Sequence, residues 1–211
     1  GPQYGRTTCQ VLPPNFPAHE AYCPYTRAPR DDGVWHGPDL EEARRLVASS
    51  GTAGAAVVVR SPPLLHPQAR SVAELLRQLG YRATAKLTAE EQWLADAYGP
   101  DPGAVQVAVT GWAIDYPAPS TFFEQLRCGS LDPSRFCNPA IDRQMDRALA
   151  LQATDPAAAD ELWARIDRAV TDEAPWIGYA TPARVRFLSD RAGNFQAHPV
   201  WGVLLDQLWV R

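Results

Sequence analysis

The stretch AAVVVRSPPLLHPQARSVAELLRQLGYRATAKL, residues 55–87, decides the fold. Its first part, AAVVVR (55–60), is a short continuous apolar run rich in valine, as expected for a strand covered on both faces, and such strands belong to parallel sheets. Residues 67–79 then repeat apolar side chains at Val72, Leu75, Leu76 and Leu79 and stop at Gly80, the spacing of an amphipathic helix with a glycine end. The last part, YRATAKL (81–87), alternates from side to side and reads as a second strand.

Working outward, Pro38 and Asp39 open a helix over DLEEARRLVASSG (39–51), with Leu40, Ala43 and Val47 on one face and Gly51 at its end. Downstream, Thr88 with Glu91 reads as a capping box for a helix through Trp93 and Ala97, and VQVAVTGW (105–112) reads as a third buried strand. The resulting β-α-β-α-β order, with right-handed crossovers, predicts an α/β fold: a mainly parallel sheet with helices on both faces. Asn138-Pro139 and Asp155-Pro156 each place an N-cap before a first-turn proline. They start two helices with Ile141, Met145 and Ala148 on one face of the first, and Leu162, Ile166 and Val170 on one face of the second. Beyond Pro175, WIGYA (176–180) and RVRFL (184–188) read as two strands of a hairpin before the apolar stretch WGVLLDQLWV (201–210). Residues 1–38 carry proline, glycine and aromatics without periodicity. They read as an irregular, disulfide-stapled lead-in to a lobe spanning 39–211.

The 211 residues carry a formal charge of −4, with Lys and Arg scattered among acids, so no basic stripe points to nucleic acid. No apolar run approaches the roughly 18–20 residues of a membrane span. The chain lacks an initiator Met and reads as a fragment or a mature product, with Gly1 and Pro2 of the kind that tag cleavage leaves. Four cysteines fall in two close pairs, Cys9 with Cys23 and Cys128 with Cys137, at spacings unlike those of zinc sites. Two short-loop disulfides and an oxidising compartment are expected, against the alternative of four unrelated buried thiols. The connectivity is left open.

Catalytic signatures do not occur: neither Gly-x-Ser-x-Gly nor a phosphate-cradling glycine loop is present, and His19, His36, His66 and His198 are far apart. No metal or cofactor is expected. Glu41-Glu42 and Glu90-Glu91 sit in first turns, where they favour the helix dipole. What remains is GWAIDYPAPSTFF (111–123). Gly111 stands at the carboxyl end of the third strand, the edge where open α/β sheets bind ligands. Asp115 lies between Trp112 and Tyr116, and a carboxylate against aromatic faces suits a cationic group such as a peptide α-amine. The plainer alternative puts Trp112, Phe122 and Phe123 in the core and leaves Asp115 to cap the turn before Pro117.

Four segments in order resemble the carboxyl-terminal lobe of the family 5 extracellular solute-binding proteins, the peptide and nickel receptors of ABC importers. They are GPDLEEARRLVASSG, SVAELLRQLGYRATAKLTAEEQW, GWAIDYPAPSTFF (against the family's GWxxDYxxPxxF) and FCNPAIDRQMDRAL. The resemblance runs from about Pro13 onward. It implies one lobe of a two-lobed periplasmic-binding-protein-like fold of type II, with Asp115 holding a ligand's α-amino group, Trp112 lining the pocket, and Tyr116 and Gly111 beside them. It also implies a small peptide or similar solute as ligand, an ABC permease as partner, and an extracellular or cell-surface location, lipid-anchored in a full-length receptor. The family's full proteins are about twice this length, so a first, amino-terminal lobe is missing. TCQVLPPNF to AYCPYT resembles actinobacterial-type members, which supports disulfides. Two other functions compete: a ligand-sensing domain fused to a regulator, and, remotely, a hydrolase using Asp115 and Tyr116.

Overall fold

The computed structural model describes residues 5–99, 105–183, 185–198 and 201–211. Strand β1 (Gly5–Thr7) is followed by α1 (Leu40–Ser50), β2 (Ala56–Ser61), α2 (His66–Gln78), β3 (Arg82–Leu87), α3 (Glu90–Tyr98) and β4 (Val107–Ala108). Next come the single-turn helix α4 (Ser120–Phe123), α5 (Pro139–Gln152), α6 (Pro156–Glu173) and β5 (Ala180–Pro182). Four two-residue strands end the chain: β6 (Ala192–Gly193), β7 (Ala197–His198), β8 (Gly202–Val203) and β9 (Trp209–Val210).

The central sheet has the order β3-β2-β4, and both of its pairings are parallel. This is the β-α-β-α-β unit read from residues 55–112. Helix α2 ends where Gly80 takes a positive φ of 103°, a conformation glycine adopts without steric cost. It packs Ala69 and Ala73 onto Val59 and Ala83, forming the small core of the sheet. Across the sheet, Arg60 ion-pairs with Asp96 of α3.

Around the sheet, three details differ from the sequence reading. The valine run is not covered on both faces: Val59 is fully buried but Val57 and Val58 are only half-buried, and Leu75 of α2 is exposed. Ala89, not Thr88, occupies the N-cap of α3. The Thr88 amide is already committed to the Ser61 carbonyl, and its buried hydroxyl bonds to no described group, so no capping box forms. The third strand shrinks to Val107–Ala108 because the Gln106 side chain takes the next places on β2. Its Oε1 accepts from Val58 N at 2.8 Å and its Nε2 donates to Ala56 O at 3.1 Å, so an amide side chain replaces the ladder that backbone would have made.

The larger core lies in the helices. Asn138 Oδ1 accepts from Ala140 N and Ile141 N, and Asp155 from Ala158 N, so each helix starts on a side-chain cap ahead of its proline. The two helices form a hairpin with Ile141, Met145 and Ala148 facing Leu162, Ile166 and Val170. Phe122, Phe123 and Leu126 complete this core, and Phe123 stacks on Trp163 with ring centroids 5.5 Å apart.

Residues 8–39 contain no helix or strand, yet they are tied down firmly. The Cys9–Cys23 disulfide closes the loop and Leu12 sits in the helical core. Asp167 of α6 accepts from Gln10 Nε2 at 2.6 Å and from Val11 N at 3.0 Å. Tyr22 and Tyr25 both hydrogen-bond to Asp172. A second disulfide, Cys128–Cys137, closes the loop before α5.

The predicted hairpin of WIGYA and RVRFL does not form. Only Ala180 of the first segment is in a strand, and β5 pairs antiparallel with β1; residues 185–188 are not in a strand, and Arg184 lies outside the described residues. A strand needs a neighbouring edge for its amides, and among the described residues β1 supplies one to β5 while nothing supplies one to 185–188.

Candidate functional site

The segment between β4 and α4 follows the carboxyl edge of the parallel sheet. β4 ends at Ala108, so Trp112 and Asp115 stand in irregular chain beyond the strand, and Pro117 and Pro119 bend a loop instead of stopping a strand. One buried residue holds this loop. Thr121, 2% exposed, accepts the Trp112 indole N–H on its carbonyl at 2.9 Å and the Asp115 amide on its hydroxyl at 3.2 Å. Phe122 and Phe123 anchor the same turn in the helical core, with Phe16 edge-on to Phe122 at 5.2 Å. The loop therefore rests on rigid packing, as a binding loop must.

With its backbone held, the Asp115 side chain stays exposed, and no described residue hydrogen-bonds or ion-pairs with its carboxylate. Trp112 is 36% exposed and Tyr116 38%. The Tyr116 phenol is held above its usual pKa, first by burial, with the Glu124 and Asp115 carboxylates adding to the effect and a hydrogen bond to Ser120 opposing it. Gly111 is exposed, and a Cβ there would meet nothing within 4 Å, so its backbone needs no glycine. Trp112, Asp115 and Tyr116 are thus carried by one surface loop. Phe122 and Phe123 belong to the core.

Two residues were missed by sequence reasoning. Thr121 lies inside the quoted motif and looks like an ordinary helix-start residue. Trp176, just past α6, lies with its ring centroid 6.5 Å from that of Trp112 at 43°. The sequence reads as a strand at 176–180, and nothing in the neighbours of Trp176 signals this contact, which runs across 64 residues of chain. The loop offers a carboxylate beside an aromatic wall, which can take up a cationic amine. Among the described residues no group of three His, Cys, Asp or Glu side chains could hold a metal ion, and no helix is long and apolar enough to cross a membrane.

No protein-family model matches the chain, and no curated sequence matches it significantly. Solved structures do. A dipeptide-binding protein from Pseudoalteromonas sp., in complex with Met-Leu, shares 20% identity at a TM-score of 0.77 over 99% of this chain and 41% of its own. The periplasmic binding protein DppA from Helicobacter pylori, in complex with the peptide STSA, shares 15% at 0.75 over 98% and 39%. OppA from Haemophilus influenzae, in complex with RPPGFSPFR, shares 15% at 0.73 over 98% and 40%. The chain spans about two-fifths of the length of these structures. Its fold is therefore that of one lobe of a periplasmic-binding-protein-like architecture, similar to a part of peptide-binding proteins.

Proposed function

We propose that this chain is the carboxyl-terminal lobe of an extracellular or cell-surface solute-binding protein that captures a peptide-like solute for an ABC permease, without catalysis. The Asp115 carboxylate takes the solute's α-amino group, Trp112 supplies an apolar and quadrupolar wall, and Tyr116 and the bare backbone at Gly111 border the site. The observation that carries this reading is the exposed, unpaired carboxylate of Asp115, on a loop held from two points by Thr121 at the carboxyl edge of a parallel sheet. The likeness to peptide-binding proteins supports it at the level of fold. An amino-terminal lobe of the same polypeptide supplies the opposite wall, and closure of two lobes buries the solute.

Calorimetric titration of the full-length, two-lobed polypeptide with the dipeptide Met-Leu tests the reading, comparing wild type with Asp115→Ala and Asp115→Asn. Loss of a charge-assisted hydrogen bond is expected to weaken binding by about tenfold or more in both variants. Unchanged affinity in both would remove Asp115 from the site. Peptide hydrolysis that disappears in Asp115→Ala would overturn the non-catalytic reading.

A further inference from the structure

Trp176 is a half-buried tryptophan held by a buried carboxylate. Its indole N–H donates to Oδ1 of Asp132 at 2.8 Å, and Asp132 is itself 3% exposed. The other carboxylate oxygen accepts from the Ser134 amide at 2.8 Å and from the Ser134 hydroxyl. Asp132 and Ser134 both lie in the loop closed by Cys128–Cys137, and the Cys128 amide donates to Asp142 of α5. The half-buried Trp176 packs against the helical core, and its ring also approaches Trp112.

Burying a carboxylate is costly, and apolar packing alone would cover an indole. What the hydrogen bond adds is direction: it fixes the ring plane, and with it the angle to Trp112, whose own N–H is fixed on Thr121. Two indoles locked by separate hydrogen bonds form a rigid corner beside the loop that carries Asp115.

Building on the solute-binding reading above, we propose that Trp176 is a specificity-determining wall of the solute site. It receives the apolar side chain of the residue whose amine meets Asp115, and Asp132 is its positioning residue, supplied by the disulfide-closed loop. The ligand class is then a peptide with a large apolar or aromatic first residue. A glycine there leaves the corner empty.

Indole N–H signals in a proton–nitrogen correlation spectrum test this, with Trp112→Phe and Trp176→Phe assigning the two rings and Met-Leu and Gly-Leu as probes. The expected result has three parts. Met-Leu moves the signals of both rings in wild type. Asp132→Ala shifts the Trp176 signal before any ligand is added, and it weakens Met-Leu about three- to tenfold while leaving Gly-Leu unchanged, the size of one aromatic contact. Trp176→Ala, which keeps the loop intact, shows the same selective loss should Asp132→Ala fail to fold. Trp176 has no role in specificity if Met-Leu moves Trp112 but not Trp176, or if both dipeptides weaken equally in the variants, and the solute-binding reading survives either result. If neither dipeptide moves any indole signal in the full-length polypeptide that carries both lobes, the solute-binding reading and this inference fall together.

Discussion

Trp163 in α6 is 1% exposed and stacks on Phe123, whereas Trp201, in the carboxyl-terminal segment, is 77% exposed and Phe187 is 95% exposed. The two regions are comparably rich in large apolar side chains. In the helical half these converge on one core, held by α4, α5, α6 and Leu12. In the segment after β5, the strands pair, among the described residues, only with one another, β6 with β9 and β7 with β8, and Val185, Leu205 and Val210 are exposed. The apolar side chains of the helical half are thus buried against one another, while those of the carboxyl-terminal segment stay open within this chain.

The sharpest way to break this contrast is to empty the helical core. Phe123 is 0% exposed, and Phe123→Ala removes the ring that stacks on Trp163. A loss of about 3–5 kcal/mol is expected from urea unfolding with the disulfides intact. A loss under about 1 kcal/mol would mean that the helical half is no better packed than the strands.

Next in size is Asp167, which ties the irregular lead-in to α6. Asp167→Ala leaves the amides of Val11 and Leu12 and the Gln10 side chain without their acceptor, at a cost of about 3 kcal/mol at pH 7. Burial pushes the Asp167 carboxyl up to about 6, with the hydrogen bonds from Gln10, Val11 and Leu12 pulling the other way. The fold therefore binds this proton more tightly than the unfolded chain does. The group's favourable contribution is complete below the unfolded value near 4 and is lost as pH rises to about 6. Relative to Asp167→Asn, wild type should gain roughly 2–3 kcal/mol between pH 7 and pH 4. A flat difference across that range would show that the carboxylate is ionised throughout.

Third is the loop that carries Asp132. Replacing both Cys128 and Cys137 by Ser opens a loop with a sequence separation of 9 and should cost about 2–3 kcal/mol. Near-ultraviolet circular dichroism should also weaken, because Trp176 loses the support of its Asp132 acceptor. A stability loss without a change in that signal would separate the disulfide from the aromatic corner.

Much of the fold was legible in the sequence because its signals are local. Asn138-Pro139 and Asp155-Pro156 announce their helices, and the spacing of Ile141, Met145 and Ala148 names the buried face. Valine-rich residues 55–60 name the central strand, and the two cysteine pairs join as their spacing suggests. The misses have a common cause, since each depends on a partner distant in sequence. Gln106 displaces strand backbone only because β2 lies beside it, and Thr88 is drawn away from capping by Ser61. The loop of Trp112, Asp115 and Tyr116 was locatable from its aromatics and prolines. Its support by Thr121 and the approach of Trp176 were not, because neither leaves a periodic trace.

The smallest expected effect lies in the exposed carboxyl-terminal segment and is the most diagnostic of the comparison. Phe187 makes almost no use of its ring within this chain, so Phe187→Ser should change the chain's unfolding free energy by less than about 0.5 kcal/mol. The same should hold for Trp201→Ser, whose ring is also largely in water. In a longer polypeptide in which a first lobe covers this segment, the same substitutions would bury a hydroxyl where an aromatic ring had packed. The cost there should rise to about 3 kcal/mol or more. The informative quantity is the difference between the two backgrounds, because any effect on the unfolded chain largely cancels between them. Equal and small effects in both would mean that the apolar face stays open in the whole protein and meets something other than a first lobe.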